Sequence, residues 1–448
     1  MQLDFTEKLI LPEIPNLHQL SVYEENGGYK AIRKALQMQP DAVTNEVKQS
    51  NLRGRGGACF PTGLKWTFMP KQANKPKYLC CNADESEPGT FKDRQIIEFN
   101  PHLLIEGILC AAYAMGIKTT YIYIRGEYYK WYKILQNAVE EAYGKNYIGE
   151  KILGTEFSTD IVVHRGAGAY ICGEESSQMN SIEGKRGYPR VKPPFPAAFG
   201  LWGCPTTINN VETLSNVPHI INRGWEWFSK IGAPKHPGTI LLGVSGHVNK
   251  PGVYEFPTGI LLSDLIYEVC GGIPGNKKIK AVIPGGSSTM WIRGEEIDGV
   301  RMDADSLKAA GTSIGTGGVI VMDEDTDVIK VLTRISHFYH HESCGQCTPC
   351  REGTGWMEKI LHRFERGEAM LEDIDLLLDI ANNIEGNTIC ALGDAAAWPV
   401  QSVIKKFRCE FEKRTIKSSK ISSYVKPPHL VFDTQLHTYI NSTNTANL

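Results

Sequence analysis

Apolar residues run almost unbroken from Leu103 to Ala114 and predict a buried helix over Pro101–Met115. A β-branched run at Thr119–Ile124 predicts a strand directly after it. Residues 127–143 place Tyr128, Trp131, Ile134, Leu135, Ala138 and Ala142 on one helical face. Strands are also expected at Tyr78–Ala83, running into Asn82-Ala83-Asp84-Glu85-Ser86-Glu87-Pro88-Gly89, and at 160–164, running into Gly166-Ala167-Gly168-Ala169-Tyr170. Strands alternating with helices imply a mainly parallel sheet covered by helices.

The pattern changes near residue 238. Strands at 239–244, 252–256 and 281–284, with a turn at Asn249-Lys250-Pro251-Gly252 and one helix at 261–270, suit a small α+β domain. Beyond residue 326 the periodicity is helical, over 327–342, 355–365, 371–384 and 391–407, as in a bundle. The chain therefore reads as a multidomain α/β protein with an N-terminal arm (1–50, extended and then one short helix). A first domain (51–237), a second (238–325) and a helical third (326–417) follow it, and a polar tail (418–448) is expected to order only against a partner.

Composition narrows the function classes. A net charge of −2 over 448 residues, with Lys and Arg scattered, gives no basic stripe for nucleic acid or an anionic membrane surface. No apolar run reaches the ~18 residues of a membrane-spanning helix; the best, 103–117, is interrupted by Glu106. The N-terminus lacks a basic and apolar leader pattern, so a cytosolic or equally reducing compartment is expected. Of twelve cysteines, eight sit mostly among apolar or small residues and suit buried thiols.

The other four carry chemistry. Cys344-Gly-Gln-Cys347-Thr-Pro-Cys350 can wrap one face of a cube-shaped cluster, and four thiolates usually complete a 4Fe–4S site. A two-cluster ferredoxin would put another cysteine four residues on, where this chain has Thr354. Cys390, at the start of a predicted helix, is the natural fourth ligand, and Cys409, late in an amphipathic helix, is a weaker one. Zinc also favours four thiolates, but its sites more often pair two separated CxxC knuckles. A cluster moves single electrons, so the sequence points to electron transfer.

A second signal is glycine-rich. Gly54-Arg55-Gly56-Gly57-Ala58-Cys59-Phe60-Pro61-Thr62-Gly63-Leu64-Lys65-Trp66 offers bare backbone N–H groups and basic side chains to a phosphate. Cys59 stands where GxGxxG would have its last glycine, and no strand directly precedes the loop, so a tight surface turn stays open as the alternative reading of this segment alone. The acidic loop at Asp84, the turn Gly173-Glu174-Glu175 and the amides of Asn209-Asn210 each read alone as helix caps or solvated loops. Together they outline a polar cofactor cleft at the strand ends.

Taken in order, segments 54–66, 82–88, 170–175, 192–196, 209–213 and 342–353 with Cys390 resemble the flavoprotein (51 kDa-type, NADH-binding) subunit of respiratory complex I, across roughly residues 50–410. The resemblance implies a Rossmann-like FMN/NADH domain, a ubiquitin-like β-grasp domain and a C-terminal four-helix bundle with one 4Fe–4S cluster. It implies an FMN site of Gly54, Arg55, Gly56, Gly57, Lys65, Asn82, Asp84, Tyr170, Gly173, Glu174, Asn209, Asn210 and Thr213. Phe60, Phe68 and Phe195 would flank the NADH adenine, and Glu87, Glu175 and Lys192 would contact the dinucleotide. The implied activity is NADH:quinone oxidoreductase: NADH gives a hydride, the cluster takes one electron, and FMN converts between them without a catalytic acid–base pair. Glu175 near the adenine ribose would favour NADH over NADPH. A thioredoxin-like 2Fe–2S subunit and a large iron–sulfur subunit would be the partners, on the cytoplasmic face of the inner membrane or the matrix face in a eukaryote.

The family usually has glycine at position 59; Cys59 is either a filler, with φ expected to be negative, or a redox-sensitive thiol. The same module serves NAD-reducing hydrogenases and NAD-dependent formate dehydrogenases, whose flavoproteins often carry additional cysteine-rich extensions. No cysteine lies in 1–58 or after Cys409, which favours complex I. A non-enzymatic β-grasp ligand-binding protein would not need the cysteine motif and the glycine loop together.

Overall fold

The computed structural model describes residues 6–416, 430–433 and 438–441. In place of the expected extended arm and single short helix, the first fifty residues form three helices: α1 (Leu20–Glu25), α2 (Lys30–Ala35) and α3 (Pro40–Gln49). Ile32, Val43 and Val47 are fully buried in the same core as the sheet that follows. Glu106, which interrupts the apolar run at 103–117, explains why. Its carboxylate lies buried in the core and accepts the backbone N–H groups of Tyr29 (2.9 Å), Ala31 (2.7 Å) and Ile32 (3.3 Å) at the start of α2. A charge buried in this way must be hydrogen-bonded, and the orphan amides of a helix start supply the donors.

The chain continues through α4 (Thr62–Thr67), β1 (Tyr78–Ala83), α5 (Asp93–Phe99), α6 (Pro101–Met115), β2 (Thr119–Ile124), α7 (Tyr129–Gly144), β3 (Asp160–Arg165) and α8 (Glu175–Ile182). Then come β4 (Thr206–Asn210), α9 (Val211–Ser215), α10 (Val217–Arg223) and α11 (Trp225–Phe228). The sheet is wholly parallel, in the order β3-β2-β1-β4, with Tyr78 opposite both Thr119 and Thr206. Strand β4 does not stand out in the sequence because Thr-Thr-Ile-Asn-Asn reads as polar. A hairpin of β5 (Gly232–Ala233) and β6 (His236–Pro237) closes this part.

The middle segment builds a five-stranded mixed sheet, β10-β9-β11-β7-β8, from β7 (Thr239–Gly246), β8 (Gly252–Pro257), β9 (Ile279–Ile283), β10 (Ile292–Arg293) and β11 (Gly318–Asp323). The expected helix over 261–270 is α12 (Leu262–Asp264) continuing into a widened turn closed by Cys270 N to Leu265 O (3.0 Å), and a second helix, α13 (Ala304–Ala309), lies before β11.

Four long helices follow, α14 (Val328–Glu342), α15 (Thr348–Arg366), α16 (Glu372–Ile384) and α17 (Leu392–Glu412). Helix α15 starts at Thr348 rather than at residue 355, since Pro349 is tolerated in a first turn. Gly353 lies inside it, where a Cβ would stand 2.7 Å from Ile384, so glycine lets α16 close in. Within the segment read as a polar tail, β12 (Leu430–Asp433) pairs antiparallel with β13 (Thr438–Asn441); the rest of that segment lies outside the described residues. Among the described residues no helix is long and apolar enough to cross a membrane.

Candidate flavin and iron–sulfur site

The loops after β1, β3 and β4 leave the same edge of the parallel sheet, the place where such sheets bind ligands. The glycine loop 54–61 folds over them as a closed turn, Gly54 N donating to Phe60 O (2.9 Å) and Thr62 N to Leu52 O (2.8 Å). It is tied to α9 by Arg55 N donating to Thr213 Oγ1 (2.8 Å). Side chains are excluded there for steric reasons: a Cβ on Gly56 would meet Asn210 Cβ at 2.9 Å, and Gly57 has φ +124°. The Arg55 guanidinium points away from the loop, donating to Pro237 O (2.8 Å) and to the His236 ring. Burial, and then the Arg55 charge, push His236 down to about 2, so its ring is neutral and accepts. What Arg55 offers the cleft is therefore backbone. Cys59 has φ +52°, so the loop keeps a glycine-like conformation there, contrary to the expected negative φ.

Asn210 caps α9 through Glu212 N (3.0 Å) and Thr213 N (3.4 Å), while its amide donates to Asp93 Oδ2 (2.7 Å). Asn209 Oδ1 accepts from Trp66 Nε1 (3.1 Å), fixing α4 against β4. Asn82 Nδ2 donates to Gly173 O (2.8 Å), joining the loops after β1 and β3. Burial pushes Asp84 up to about 7, against the Ser86 hydrogen bond and the Arg125 charge.

A cationic and acidic cluster lines the next part. Lys192 Nζ donates to Glu174 Oε1 (3.0 Å) and Glu175 Oε1 (2.6 Å), and Lys65 lies 3.5 Å from Glu175 Oε2. Burial raises the Glu175 carboxyl, but the two lysines more than offset it and hold it below the usual range. Phe60 (44% exposed) and Phe68 (54%) pair with centroids 6.1 Å apart, and Phe195 is 61% exposed on the loop after Lys192. Exposed aromatic faces beside a charged cleft are the surface a planar heterocycle would cover.

Three family profiles match in tandem: a Nuo51 FMN-binding domain over residues 47–219, an SLBB domain over 241–292, and an NADH-ubiquinone oxidoreductase-F iron–sulfur binding region over 330–414. The chain is 55% identical over 400 residues to the NADH-quinone oxidoreductase F subunit 2 of Rhizobium meliloti (strain 1021), covering 89% of this chain and 95% of that one. It is 54% identical over 398 residues to the NADH-quinone oxidoreductase F subunit of Rickettsia bellii (strain OSU 85-389), with the same coverage. The chain belongs to the F-subunit family of NADH-quinone oxidoreductase. Its fold is also that of a chain in the crystal structure of an NAD+-reducing [NiFe]-hydrogenase in the H2-reduced state, with TM-score 0.79, 33% identity, and 89% and 69% of the two chains covered.

Family membership brings FMN and a 4Fe–4S cluster, and the donor sets fit both. For the flavin the cradle is the bare backbone at Gly54, Gly56, Gly57 and Gly173, where no side chain of the loop itself stands in the way. For the cluster, Cys347 caps α15, Cys350 sits buried in its first turn, and Cys390 precedes α17. Cys344, Cys347 and Cys390 pack against the buried cluster of side chains that contains Cys350, and burial, with the charges of Glu174, Cys344 and Cys350 adding to it, pushes Cys390 up to about 12. Among the described residues no three such ligands converge on a point suited to a single ion.

Glu87 accepts from Tyr170 OH (2.6 Å), Ser288 N (2.7 Å), Ser287 Oγ (3.0 Å) and Tyr339 OH (3.4 Å), so one carboxylate joins all three parts of the chain. Tyr170 N donates to Glu342 Oε2 (3.0 Å), two residues before Cys344. Beneath the flavin loops a buried Lys92 lies between Asp93 (2.8 Å) and Glu212 (2.7 Å). Ser287, Ser288, Tyr339 and Lys92 carry no signal of their own in the sequence, since each acts through a partner far along the chain. Glu342 alone among these supporting residues is marked by position, at the edge of the cysteine motif.

Proposed function

We propose that this chain oxidises NADH as the flavoprotein subunit of an NADH:quinone oxidoreductase, passing electrons singly through its cluster to iron–sulfur partners. The observation that carries the reading is the hydrogen bond from Tyr170 N to Glu342, which joins the flavin cleft to the entry of the cysteine motif. The sheet part acts as a Rossmann-like FMN/NADH domain (51–237), the middle as a β-grasp domain (238–325) and the helical part as a four-helix bundle (326–417). The 1–50 segment packs on the first of these.

FMN supplies the exchange between a two-electron hydride and single electrons. Everything else falls to the chain. Gly56 and Gly57 offer backbone N–H groups to the phosphate, Gly54 and Arg55 hold the loop in shape around it through their own N–H bonds to Phe60 and Thr213, and Lys65 adds charge. Asn82, Asp84, Tyr170, Gly173, Glu174, Asn209, Asn210 and Thr213 shape the remaining flavin walls. Phe60, Phe68 and Phe195 take the adenine, Glu175 and Lys192 the ribose and phosphates, and Glu87 holds Tyr170 beside them. Cys344, Cys347, Cys350 and Cys390 ligate the cluster. The partners are a thioredoxin-like 2Fe–2S subunit and a large iron–sulfur subunit, with the chain peripheral on the cytoplasmic, or matrix, face.

Anaerobic NADH added to the purified holoprotein should bleach the flavin and produce a reduced-cluster EPR signal. Bleaching without that signal would leave a diaphorase and remove the electron-transfer role. NADPH should reduce the flavin far more slowly, and Glu175→Gln should narrow the gap; comparable wild-type rates with both would refute the ribose role. The hydrogenase likeness gives a second reading, a diaphorase subunit, and affinity purification from the host decides it. Quinone-reductase companions support the first reading, and hydrogenase or formate dehydrogenase companions the second.

A further inference from the structure

Ser343 lies between α14 and the first ligand of the cysteine motif, with φ −59° and ψ 122°, where the chain has left the helix. Its hydroxyl oxygen is 3.1 Å from Cys350 Sγ, and it accepts from Gly345 N (3.4 Å). Arg351, one residue beyond Cys350, donates to Gly345 O (2.9 Å) and Thr348 Oγ1 (3.3 Å), so the loop carrying Ser343 is held against the first turn of α15. Cys350 is 6% exposed, which keeps water from competing for its sulfur.

We propose that the Ser343 hydroxyl donates a hydrogen bond to the Cys350 thiolate and raises the reduction potential of the cluster. The proposal rests on the reading of Cys350 as a ligand. A ligating cysteine has lost its proton, so of the two atoms only Ser343 Oγ can donate. A donor on a ligand sulfur stabilises negative charge there. The reduced cluster carries one more electron than the oxidised one, so the bond strengthens on reduction and favours it. Burial enlarges the effect, because a charge-assisted hydrogen bond in a low-dielectric setting is not averaged by solvent. Ser343 is thus a positioning and tuning residue that acts on iron only through the sulfur.

The test is an EPR-monitored redox titration of the full-length holoprotein as wild type, Ser343→Ala, Ser343→Gly and Ser343→Thr, with iron content measured on each. The expected result is a lower potential in the Ala and Gly variants, by up to about tenfold in the reduced-to-oxidised ratio at fixed poise, which is about 59 mV for one electron. Thr keeps the hydroxyl and should stay near wild type. An unchanged potential in whichever of the Ala and Gly variants retains its iron overturns the proposal, as does loss of iron from both while Thr keeps it, which would make the role one of assembly. If Cys350→Ala keeps a full cluster with an unaltered EPR signal, the ligand reading fails, and the proposal with it.

Discussion

Replacing Lys92 by Met should destabilise the parallel-sheet part more than any other single change near the flavin cleft. Lys92 is 2% exposed and its ammonium lies 2.8 Å from Asp93 Oδ1 and 2.7 Å from Glu212 Oε2. A third buried carboxylate, Glu85, accepts Asp93 N at 2.7 Å and Tyr128 OH at 3.0 Å. Burial pulls Lys92 down, but Asp93, Glu212 and Glu85 more than compensate and hold its pKa above the ordinary value. Removing the cation that bridges Asp93 and Glu212 leaves buried charge uncompensated, which costs about 3–5 kcal/mol. The loss should depend on pH in a defined sense. Burial already raises Glu212, and burial followed by the Asp93 charge pushes Glu85 up to about 7. Without Lys92 these carboxyls rise further, so the folded state holds protons that the unfolded state releases. Stability then falls as pH increases from the ordinary value of 4.5 through the raised folded values. Urea unfolding followed by tryptophan fluorescence and flavin release, at about pH 5.5 and about pH 8, gives the comparison. A loss below about 1 kcal/mol at the higher pH, or one that is larger at the lower pH, would show that Lys92 does not hold the cluster of charges.

Gly56→Ala puts a methyl 2.9 Å from Asn210 Cβ in the flavin cradle; overpacking of about 1–3 kcal/mol should lower the flavin-to-protein ratio while the far-ultraviolet CD spectrum is unchanged. Glu87→Ala leaves Ser288 N without its 2.7 Å acceptor, a cost of about 1–3 kcal/mol, so hydrogen exchange over 284–291 should quicken roughly ten- to a hundredfold; unchanged exchange would refute the junction role. At Glu358, burial raises the carboxyl, but hydrogen bonds from His337 and His340 outweigh it and hold it below the ordinary value. A depressed carboxyl stabilises above its unfolded pKa and is lost as pH falls through the folded one, so the α14–α15 contact should loosen in acid, and Glu358→Gln should abolish that acid step in CD melts.

Local patterns are legible where one segment decides its own state. The strands at Tyr78–Ala83 and Thr119–Ile124 and the helix at Pro101–Met115 are found where their runs of apolar and β-branched residues put them. Strand β4 escapes because Thr206, Thr207 and Asn209 are buried in a strand that pairs with β1, a tertiary fact. The same holds within the site. Asn82, Gly173, Lys65, Glu174, Glu175 and Lys192 converge through contacts of the kinds their residue types suggest. The Arg55 side chain turns instead to Pro237, and Lys92 finds Glu212, because partners far along the chain are set by packing rather than by spacing. Cys59 shows a third case: the loop's hydrogen bonds fix φ at +52°, and the residue accepts the strain instead of changing the turn.

Electron transfer from a flavin to a cluster requires a fixed separation between groups held by different parts of the chain. Here that separation does not depend on apolar packing between parts alone. Tyr170 is gripped at both ends, its hydroxyl by Glu87 and its backbone N–H by Glu342, and Glu342 ends the helix that delivers Cys344. Glu87 in turn takes Ser287 and Ser288 from the middle part, and Tyr339 from α14 lies at its edge. Hydrogen bonds to a carboxylate are directional and roughly twice as strong as neutral ones, so they fix orientation where apolar contact would allow sliding. The Glu87 and Glu342 carboxylates therefore tie the loops after β1 and β3, the middle part and the helix that leads to Cys344 to one another. The cleft and the cysteine motif are positioned as one unit although their residues lie far apart in the chain.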